Sequence, residues 1–214
     1  MKVYFTFLSL IASAVLVGGF KLVQYKQEQA QLGTAVIMVK DEVKKGGQPY
    51  TVALPTHLTQ RQAYLLSFAY RIAKEDGHRS PELLQGVIMQ ESKAGNMGQF
   101  RVAGLENKPG DRYFGIGQVK LAAAKEVLKS YPALWKYLDT RTDEELQARL
   151  IVDDEFNIRI TSKYLLLVGV NNNPTVAVTA YNRGPTGAQE VDPQTHDYTV
   201  RVKAYANTFK QARR

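Results

Sequence analysis

A carboxylic acid on the apolar face of a short predicted helix is the strongest constraint in this sequence. Residues 80–95 read SPELLQGVIMQESKAG, in which Leu84, Val87, Ile88 and Glu91 are spaced as i, i+3, i+4 and i+7. A helix places these positions on one face, and we expect that apolar face to be buried. Burial penalises the charged form of Glu91 and should raise its pKa. A carboxyl group that keeps its proton near neutral pH is suited to general-acid catalysis.

Local signals predict the ends of this helix. Ser80 can cap its N-terminus, Pro81 suits the first turn, and Gly95 should end the helix a few residues after Glu91. Glu91 would then lie near a helix end, where a cleft can reach it. The alternative to a catalytic role is a glutamate at the helix edge whose side chain turns back to solvent.

The composition limits the chemistry that the rest of the chain can supply. The chain has 214 residues, of which 44% are hydrophobic, which is enough for one globular domain with additional segments. It contains no cysteine, which excludes disulfides and thiolate metal sites, and His57, His78 and His196 lack ligand spacing, so we expect no zinc site. The net charge of +8 predicts an anionic partner. Charge alone leaves nucleic acid, lipid head groups and the cell-wall polymer open.

The N-terminal segment has the features of a membrane anchor. Residues 3–20 (VYFTFLSLIASAVLVGGF) carry no charge and lie between Lys2 and Lys21. Their length is close to the minimum of about 17–20 residues for a membrane-spanning helix. We expect a retained or weakly held single-pass anchor in the inner membrane, with the rest of the chain in the periplasm. The alternatives are a signal peptide cleaved after Gly19, which would give a secreted protein, and a buried core helix.

The chain is predicted to consist of three parts. Residues 1–33 form the signal-anchor and a polar, glutamine-rich linker, and residues 34–57 form a small β-hairpin that turns at Gly46 and Gly47. Residues 58–214 form the catalytic domain. Because helical patterns dominate this last part, the expected fold class is mainly α.

Capping signals mark the helices of the predicted catalytic domain. Thr59 and Gln62 have the spacing of a capping box, as do Thr142 and Glu145. The other expected boundaries are a helix over residues 154–170, a helix that opens at Asn173 and closes at Arg183-Gly184, and a last helix capped by Thr195. A glycine-rich loop over residues 96–114 is long enough to be functional.

Short motifs in a particular order carry a resemblance to a known family. The motifs are Glu91-Ser92, Gly115-Ile116-Gly117-Gln118, Asn157-Ile158 with Tyr164-Leu165, Ala180-Tyr181-Asn182 with Gly184, and Thr195 with Tyr198. Each motif alone is weak, whereas their common order is more specific. Together they resemble the soluble lytic transglycosylase domain, a relative of goose-type lysozyme, over roughly residues 58–209.

This resemblance implies a lysozyme-like helical fold and a reaction. The family cleaves the β-1,4 bond between MurNAc and GlcNAc in peptidoglycan and forms 1,6-anhydro-MurNAc. Glu91 takes the place of the single catalytic acid/base, and neither metal nor cofactor is implied. The implied substrate-binding residues are Ser92, Gly117, Gln118, Tyr181, Asn182 and Tyr198. The expected partners are peptidoglycan glycan strands and the inner membrane, which the N-terminal helix would contact, but not nucleic acid; protein partners are unknown.

Several of the implied contacts have structural alternatives. Ser92 can be a hydroxyl at a helix end, and Gly117 can belong to an ordinary turn. Asn182 can be a C-cap, and Tyr198 can be a core residue, because it lies on the inward stripe of the last helix.

The chain also departs from the family pattern. Gly117 stands where a larger residue is usual, and Thr161 stands where glycine is common. Residues 93–95 replace an aromatic residue and Asn-Pro, Gln194 stands where Glu is frequent, and the loop over residues 96–114 is longer than usual. We expect this loop to form an expanded flap at the active site. The departures concern the sugar subsites rather than the acid.

The sequence leaves two biological settings and two rival functions open. One setting is a phage endolysin held by a signal-anchor, and the other is a bacterial transglycosylase that opens the wall for a secretion or conjugation machine. The glycine and serine residues within the apolar run of the anchor make its insertion marginal, which favours the phage endolysin. One rival function is a lysozyme that adds water, with Asp111 as the second carboxylate. The other is a non-catalytic, basic, membrane-anchored module that binds glycan or nucleic acid.

Overall fold

The computed structural model describes residues 42–45, 48–51, 58–95, 102–103 and 112–213. The predicted anchor and linker, residues 1–33, lie outside these ranges, as do Asp111 and most of the predicted active-site loop. In the part of the chain that is described, no helix is both long enough and apolar enough to cross a membrane.

Helices form most of the described chain, which confirms the predicted mainly α class. The α-helices are α1 (Gln60–Glu75), α2 (Glu82–Ser92), α3 (Leu121–Ser130), α4 (Asp143–Val152), α5 (Asp154–Leu167), α6 (Pro174–Gly187) and α7 (Asp197–Gln211). Two 3-10 helices cover Pro132–Tyr137 and Ala188–Glu190. The helix predicted over residues 154–170 therefore ends earlier, at Leu167.

The small hairpin predicted ahead of the helical domain is present. β1 (Glu42–Lys45) pairs antiparallel with β2 (Gln48–Thr51), and Lys45 lies opposite Gln48. The predicted turn residues, Gly46 and Gly47, fall between the two strands and outside the described residues. β1 contacts α7, so the hairpin docks on the helical domain.

No sequence pattern predicts a second sheet, but the structure contains one. β3 (Val102–Ala103), β4 (Tyr113–Phe114) and β5 (Val119–Lys120) form a three-stranded antiparallel sheet in the order β3-β4-β5. Residues 115–118, the second motif of the resemblance, form the turn between β4 and β5. Strands of this length leave no alternating pattern in the sequence, which is why periodicity does not reveal them.

Three of the predicted helix caps are found at the expected residues. The Thr59 hydroxyl accepts the Gln62 N–H, and the Gln62 side chain accepts the Thr59 N–H, so the capping box of α1 is complete. The Asn173 side chain caps α6. The Thr142 hydroxyl caps α4, but the Glu145 carboxylate accepts the N–H groups of residues 139–141, so the second box is only half formed.

Two predicted caps are wrong. Ser80 does not cap α2, because the Leu83 N–H that its side chain would satisfy donates to the Ser80 carbonyl instead. Thr195 does not cap α7, whose N-cap residue is His196, and its hydroxyl is instead directed toward Asp192 in the preceding turn. Local bonds of this kind compete with capping, and sequence spacing does not show which of the two prevails.

Two hydrophobic cores share α5 as a common wall. The first core lies between α1, α2, α6 and α7, and the second lies between the β4–β5 hairpin, α3, α4 and the first 3-10 helix. α5 contributes Ile158 and Leu165 to the first core, and Phe156 and Ile160 to the second.

α2 packs closely on α7 in the first core. A Cβ on Gly86 would lie 2.4 Å from the backbone oxygen of Val202, so only glycine permits this separation. The two helices run antiparallel past this point. Their contact brings Glu91, at the end of α2, to Tyr198, at the start of α7.

Candidate active site

An abrupt helix end places Glu91 in the last turn of α2. The helix stops at Ser92, and the next residues, Lys93, Ala94 and Gly95, have φ values of 51°, 53° and 80°. The helix therefore ends before the predicted Gly95. Two successive non-glycine residues in the left-handed region are uncommon and are most often found near functional sites. The sequence offers no signal for this conformation at Lys93 and Ala94.

Glu91 lies between the first core and the open end of that helix. Leu84, Val87 and Ile88 on the same face are fully buried, as the periodicity predicts, and Glu91 itself is partly buried. Burial raises the pKa of Glu91 from about 4.5 to about 7, although a hydrogen bond from Tyr198 partly offsets this effect. Glu91 therefore titrates in the range where one carboxyl group can both give and take a proton.

Tyr198 is the direct partner of this carboxyl group. Its hydroxyl donates to Glu91 Oε1 at 2.5 Å, and only 9% of the residue is exposed. Burial and the charge of Glu91 raise the pKa of Tyr198 well above its ordinary value, so the hydroxyl keeps its proton and remains a donor. Tyr198 thus holds the acid in place. Sequence reasoning offers glycan contact or core packing for this residue and misses the hydrogen bond to Glu91.

The side chain of Asn157, on α5, holds the turn over residues 115–118 in place. The Asn157 side chain accepts the Gly117 N–H at 2.8 Å and donates to the carbonyls of Phe114 and Leu150 at 2.8 and 3.0 Å. Asn157 is fully buried. A Cβ on Gly117 would lie 2.1 Å from the Thr161 hydroxyl oxygen, so the turn approaches α5 too closely for any larger residue.

Tyr181 connects this turn to the acid. Its hydroxyl donates to the Gly117 carbonyl at 2.6 Å, and its ring lies 5.7 Å from the ring of Tyr164. Burial is the main cause that raises the pKa of Tyr181 well above its ordinary value, and the charge of Glu91 raises it further. The Tyr181 hydroxyl therefore supports the turn, while its ring remains on the wall of a cleft.

Gln118 and Asn182 line that cleft, which has a volume of about 200 Å³. Gln118 has a φ of 50°, and its amide donates to the Gly115 carbonyl at 2.7 Å. Asn182 is exposed and lies in the last regular turn of α6 before Gly184, whose φ of 75° and ψ of 161° break the helix where the sequence predicts its end. Both amides are placed to meet a ligand in the cleft.

Ser92 lies away from the cleft. Only 3% of it is exposed, and its hydroxyl donates to the Ile88 carbonyl at 3.2 Å and accepts the Gly95 N–H at 3.1 Å. These bonds correspond to the helix-end alternative for Ser92. Substrate contact by this side chain stays a prediction without a geometric basis.

The candidate active site therefore contains one carboxyl group with a raised pKa, one buried tyrosine donor and a rigid turn beside a polar cleft. Within the described ranges, no group of three or more His, Cys, Asp or Glu side chains could hold a metal ion. The site can carry out proton transfer with Glu91 and can bind a polar ligand through amides and hydroxyls.

No protein-family model matches this chain, and no curated protein matches it either.

Proposed function

We propose that this chain is a peptidoglycan lytic transglycosylase of lysozyme-like fold in which Glu91 is the single acid/base. The observation that carries the proposal is the position of Glu91, which ends a buried helix face and accepts a hydrogen bond from Tyr198. Burial there raises its pKa to about 7, so it can give a proton in one step and take one in the next. The order of the five motifs in the sequence supports the same family. The reaction cleaves the MurNAc–GlcNAc β-1,4 bond.

In the first step, protonated Glu91 acts as the general acid. It gives its proton to the glycosidic oxygen as the bond from that oxygen to C1 of MurNAc breaks, and the GlcNAc hydroxyl leaves. Positive charge develops at C1 and the ring oxygen. The Tyr198 hydroxyl, at 2.5 Å, stabilises the carboxylate that remains.

In the second step, the Glu91 carboxylate acts as the general base. It takes the proton of the C6 hydroxyl of the same MurNAc while that oxygen bonds to C1 and closes the 1,6-anhydro ring. No water is consumed, and Glu91 returns to its protonated form. The internal hydroxyl is an effective nucleophile because it is held close to C1 at high effective concentration.

The turn over residues 115–118 and the cleft would orient the sugar. Gln118 and Asn182 offer amide donors and acceptors for N-acetyl and hydroxyl groups, and the Tyr181 ring offers a surface on which a sugar can stack. Asn157 keeps the turn in place through its bonds to the backbone of Gly117, Phe114 and Leu150 and would not itself contact the sugar.

The proposal includes a location. Residues 3–20 would anchor the chain in the inner membrane, so that the catalytic domain faces the wall in the periplasm, and the charge of +8 suits an anionic polymer. The glycine- and serine-diluted anchor favours a phage endolysin that degrades the wall during lysis.

The masses of the muropeptide products test the reaction. Purified peptidoglycan is digested with the full chain in detergent, and the products are analysed by mass spectrometry. We expect 1,6-anhydro-MurNAc ends, which are lighter than hydrolysed ends by one water. Reducing MurNAc ends would contradict the proposal and indicate a lysozyme, for which Asp111→Asn would be the next variant. Intact peptidoglycan would indicate a binding module.

A further inference from the structure

We propose that the cleft beside the 115–118 turn binds a carboxylate carried by the lactyl group of MurNAc, through Lys120 and Arg183. This inference rests on the proposed function and specifies which part of peptidoglycan the site recognises. The carboxylate has two possible sources. It is the free lactyl carboxylate in strands without peptides, or a carboxylate of the peptide stem that is attached through the lactyl group.

The charge of the cleft is the first argument. Its walls come from the β4–β5 hairpin, α3, α5 and α6, and they include two cationic residues, Lys120 and Arg183. None of the residues that line it carries a carboxylate; the full set is Tyr113, Gln118, Val119, Lys120, Ala123, Tyr164, Tyr181, Asn182, Arg183 and Gly184. A cleft with cations, amides and hydroxyls but no acid is complementary to an anion.

The positions of the two cations are the second argument. The Lys120 ammonium lies 5.1 Å from the centre of the Tyr113 ring. Arg183 donates to the Gly187 carbonyl at 3.1 Å, and its guanidinium lies 3.5 Å from the Glu190 carboxylate, of which 64% is exposed. A long, exposed ion pair of this kind contributes little, so a ligand carboxylate can compete with Glu190 for Arg183.

The continuity of the cleft with Glu91 is the third argument. α6, which carries Arg183, packs on α7, which begins directly after His196. The His196 ring lies 6.4 Å from the ring of Tyr198, which donates to Glu91. Tyr181, also on α6, lines the cleft and packs against the first core, to which Tyr198 belongs.

This arrangement fits the chemistry of the substrate. The lactyl group is on C3 of the same MurNAc ring whose C1 is attacked, so a ring with C1 at Glu91 extends its lactyl group only a short distance away. A polymer of GlcNAc alone, such as chitin, has no group that would use the two cations. The cleft should therefore discriminate between peptidoglycan and chitin.

Affinity measurements on the full chain in detergent test the inference. The Glu91→Gln background prevents turnover, and calorimetry compares three ligands: glycan strands with peptide stems, strands stripped by an amidase, and chitin oligosaccharides of equal length. Lys120→Gln and Arg183→Gln are each expected to weaken binding of the carboxylate-bearing ligands by about three- to ten-fold. Neither should change the affinity for chitin. Lys129→Gln, an exposed lysine on α3 outside the cleft, removes the same charge and should change nothing.

The outcomes separate the two sources and the two proposals. If Lys120→Gln and Arg183→Gln weaken the binding of stripped strands most, the bound group is the lactyl carboxylate. If they weaken only the binding of strands with peptide stems, the bound group is a carboxylate of the stem. No loss, or an equal loss for chitin, overturns the inference. If this happens while the wild-type digest contains anhydro ends, the proposed function stands and only the inference fails.

The salt dependence of binding provides a test that needs no cleft variant. Binding of the carboxylate-bearing ligands by the Glu91→Gln chain should weaken as ionic strength rises, while binding of chitin should not. Equal salt dependence for the three ligands would overturn the inference even if Lys120→Gln or Arg183→Gln failed to fold.

Discussion

The two sides of the candidate active site are built in opposite ways. On the acid side, Glu91 is desolvated and has one hydrogen bond, from Tyr198, so its raised pKa is a cost to the folded protein. On the turn side, residues 115–118 are held by Asn157 and Tyr181 through short bonds to the backbone. The comparison indicates that the buried carboxyl group is held at a cost in stability, whereas the turn beside the cleft is held by several hydrogen bonds.

The largest expected effect is on the acid side. Glu91→Gln keeps the shape of the side chain but cannot deliver a proton. The rate at which it cleaves purified peptidoglycan should therefore fall by roughly 10³-fold or more. Circular dichroism should show a native fold. The matched control is Glu75→Gln, an exposed carboxyl on α1, which should retain full activity. Near-normal clearing of peptidoglycan by the Glu91 variant would remove Glu91 from the mechanism.

The largest stability effect is expected on the turn side. Asn157→Ala leaves the Gly117 N–H and the carbonyls of Phe114 and Leu150 buried without partners, and should lower the free energy of unfolding by about 3–5 kcal/mol. Urea denaturation measures this change. Asn182→Ala, at an exposed position on the cleft, should change stability by less than about 0.5 kcal/mol. Equal changes in the free energy of unfolding for the two variants would show that Asn157 does not stabilise the turn.

A smaller and opposite stability effect is expected at Glu91. Because its pKa is about 7 in the folded state and about 4.5 when unfolded, the unfolded chain releases its proton first, and stability falls as pH rises through this window. The cost is absent below pH 4.5 and complete above pH 7. Glu91→Gln lacks this cost and should be more stable than wild type at pH 8 by up to about 3 kcal/mol.

Denaturation at two pH values checks this effect. The advantage of Glu91→Gln should be present at pH 8 and disappear near pH 4.5, whereas Glu75→Gln should track wild type at both. An advantage of Glu91→Gln that did not depend on pH would mean that its origin is packing rather than the proton.

The smallest expected effect concerns Tyr198. Its hydrogen bond lowers the pKa of Glu91, so Tyr198→Phe should raise that pKa and move the alkaline fall of kcat/KM to higher pH. The rate at the optimum should fall by about ten-fold, since a hydrogen bond to a charged group contributes about 1.5 kcal/mol. The control is Tyr205→Phe, which removes a tyrosine hydroxyl from the same helix; that hydroxyl accepts a hydrogen bond from Lys93 rather than contacting Glu91. An unshifted profile would assign Tyr198 to packing.

The sequence predicts the acid side better than the turn side. The apolar spacing around Glu91 reveals a buried helix face and a carboxyl group of raised pKa, because a helix encodes its buried face in a regular period. The partnership of Glu91 with Tyr198 leaves no such signal, since it depends on how α2 crosses α7 at Gly86. The role of Asn157 is hidden for the same reason, because its partners are backbone atoms on other elements.

The helix ends show a further limit of sequence reasoning. Thr59 and Asn173 cap as predicted, and each accepts the N–H of the residue three positions later. Ser80 and Thr195 also have hydroxyl groups, but the Leu83 N–H donates to the Ser80 carbonyl, and the Thr195 hydroxyl is directed toward Asp192. Spacing identifies residues that can cap, whereas the preceding turn decides whether they do.

The contact between Gly117 and Thr161 restricts the order in which mutations can accumulate. A side chain at position 117 would meet the Thr161 hydroxyl at 2.1 Å and the Asn157 side chain at 2.9 Å. A lineage that exchanged volume between the two positions would have to lose the Thr161 side chain first, at the modest cost of a small cavity, roughly 1 kcal/mol. The reverse order would pass through an overpacked intermediate. Positions 117 and 161 are therefore coupled, because a larger residue at 117 requires a smaller one at 161.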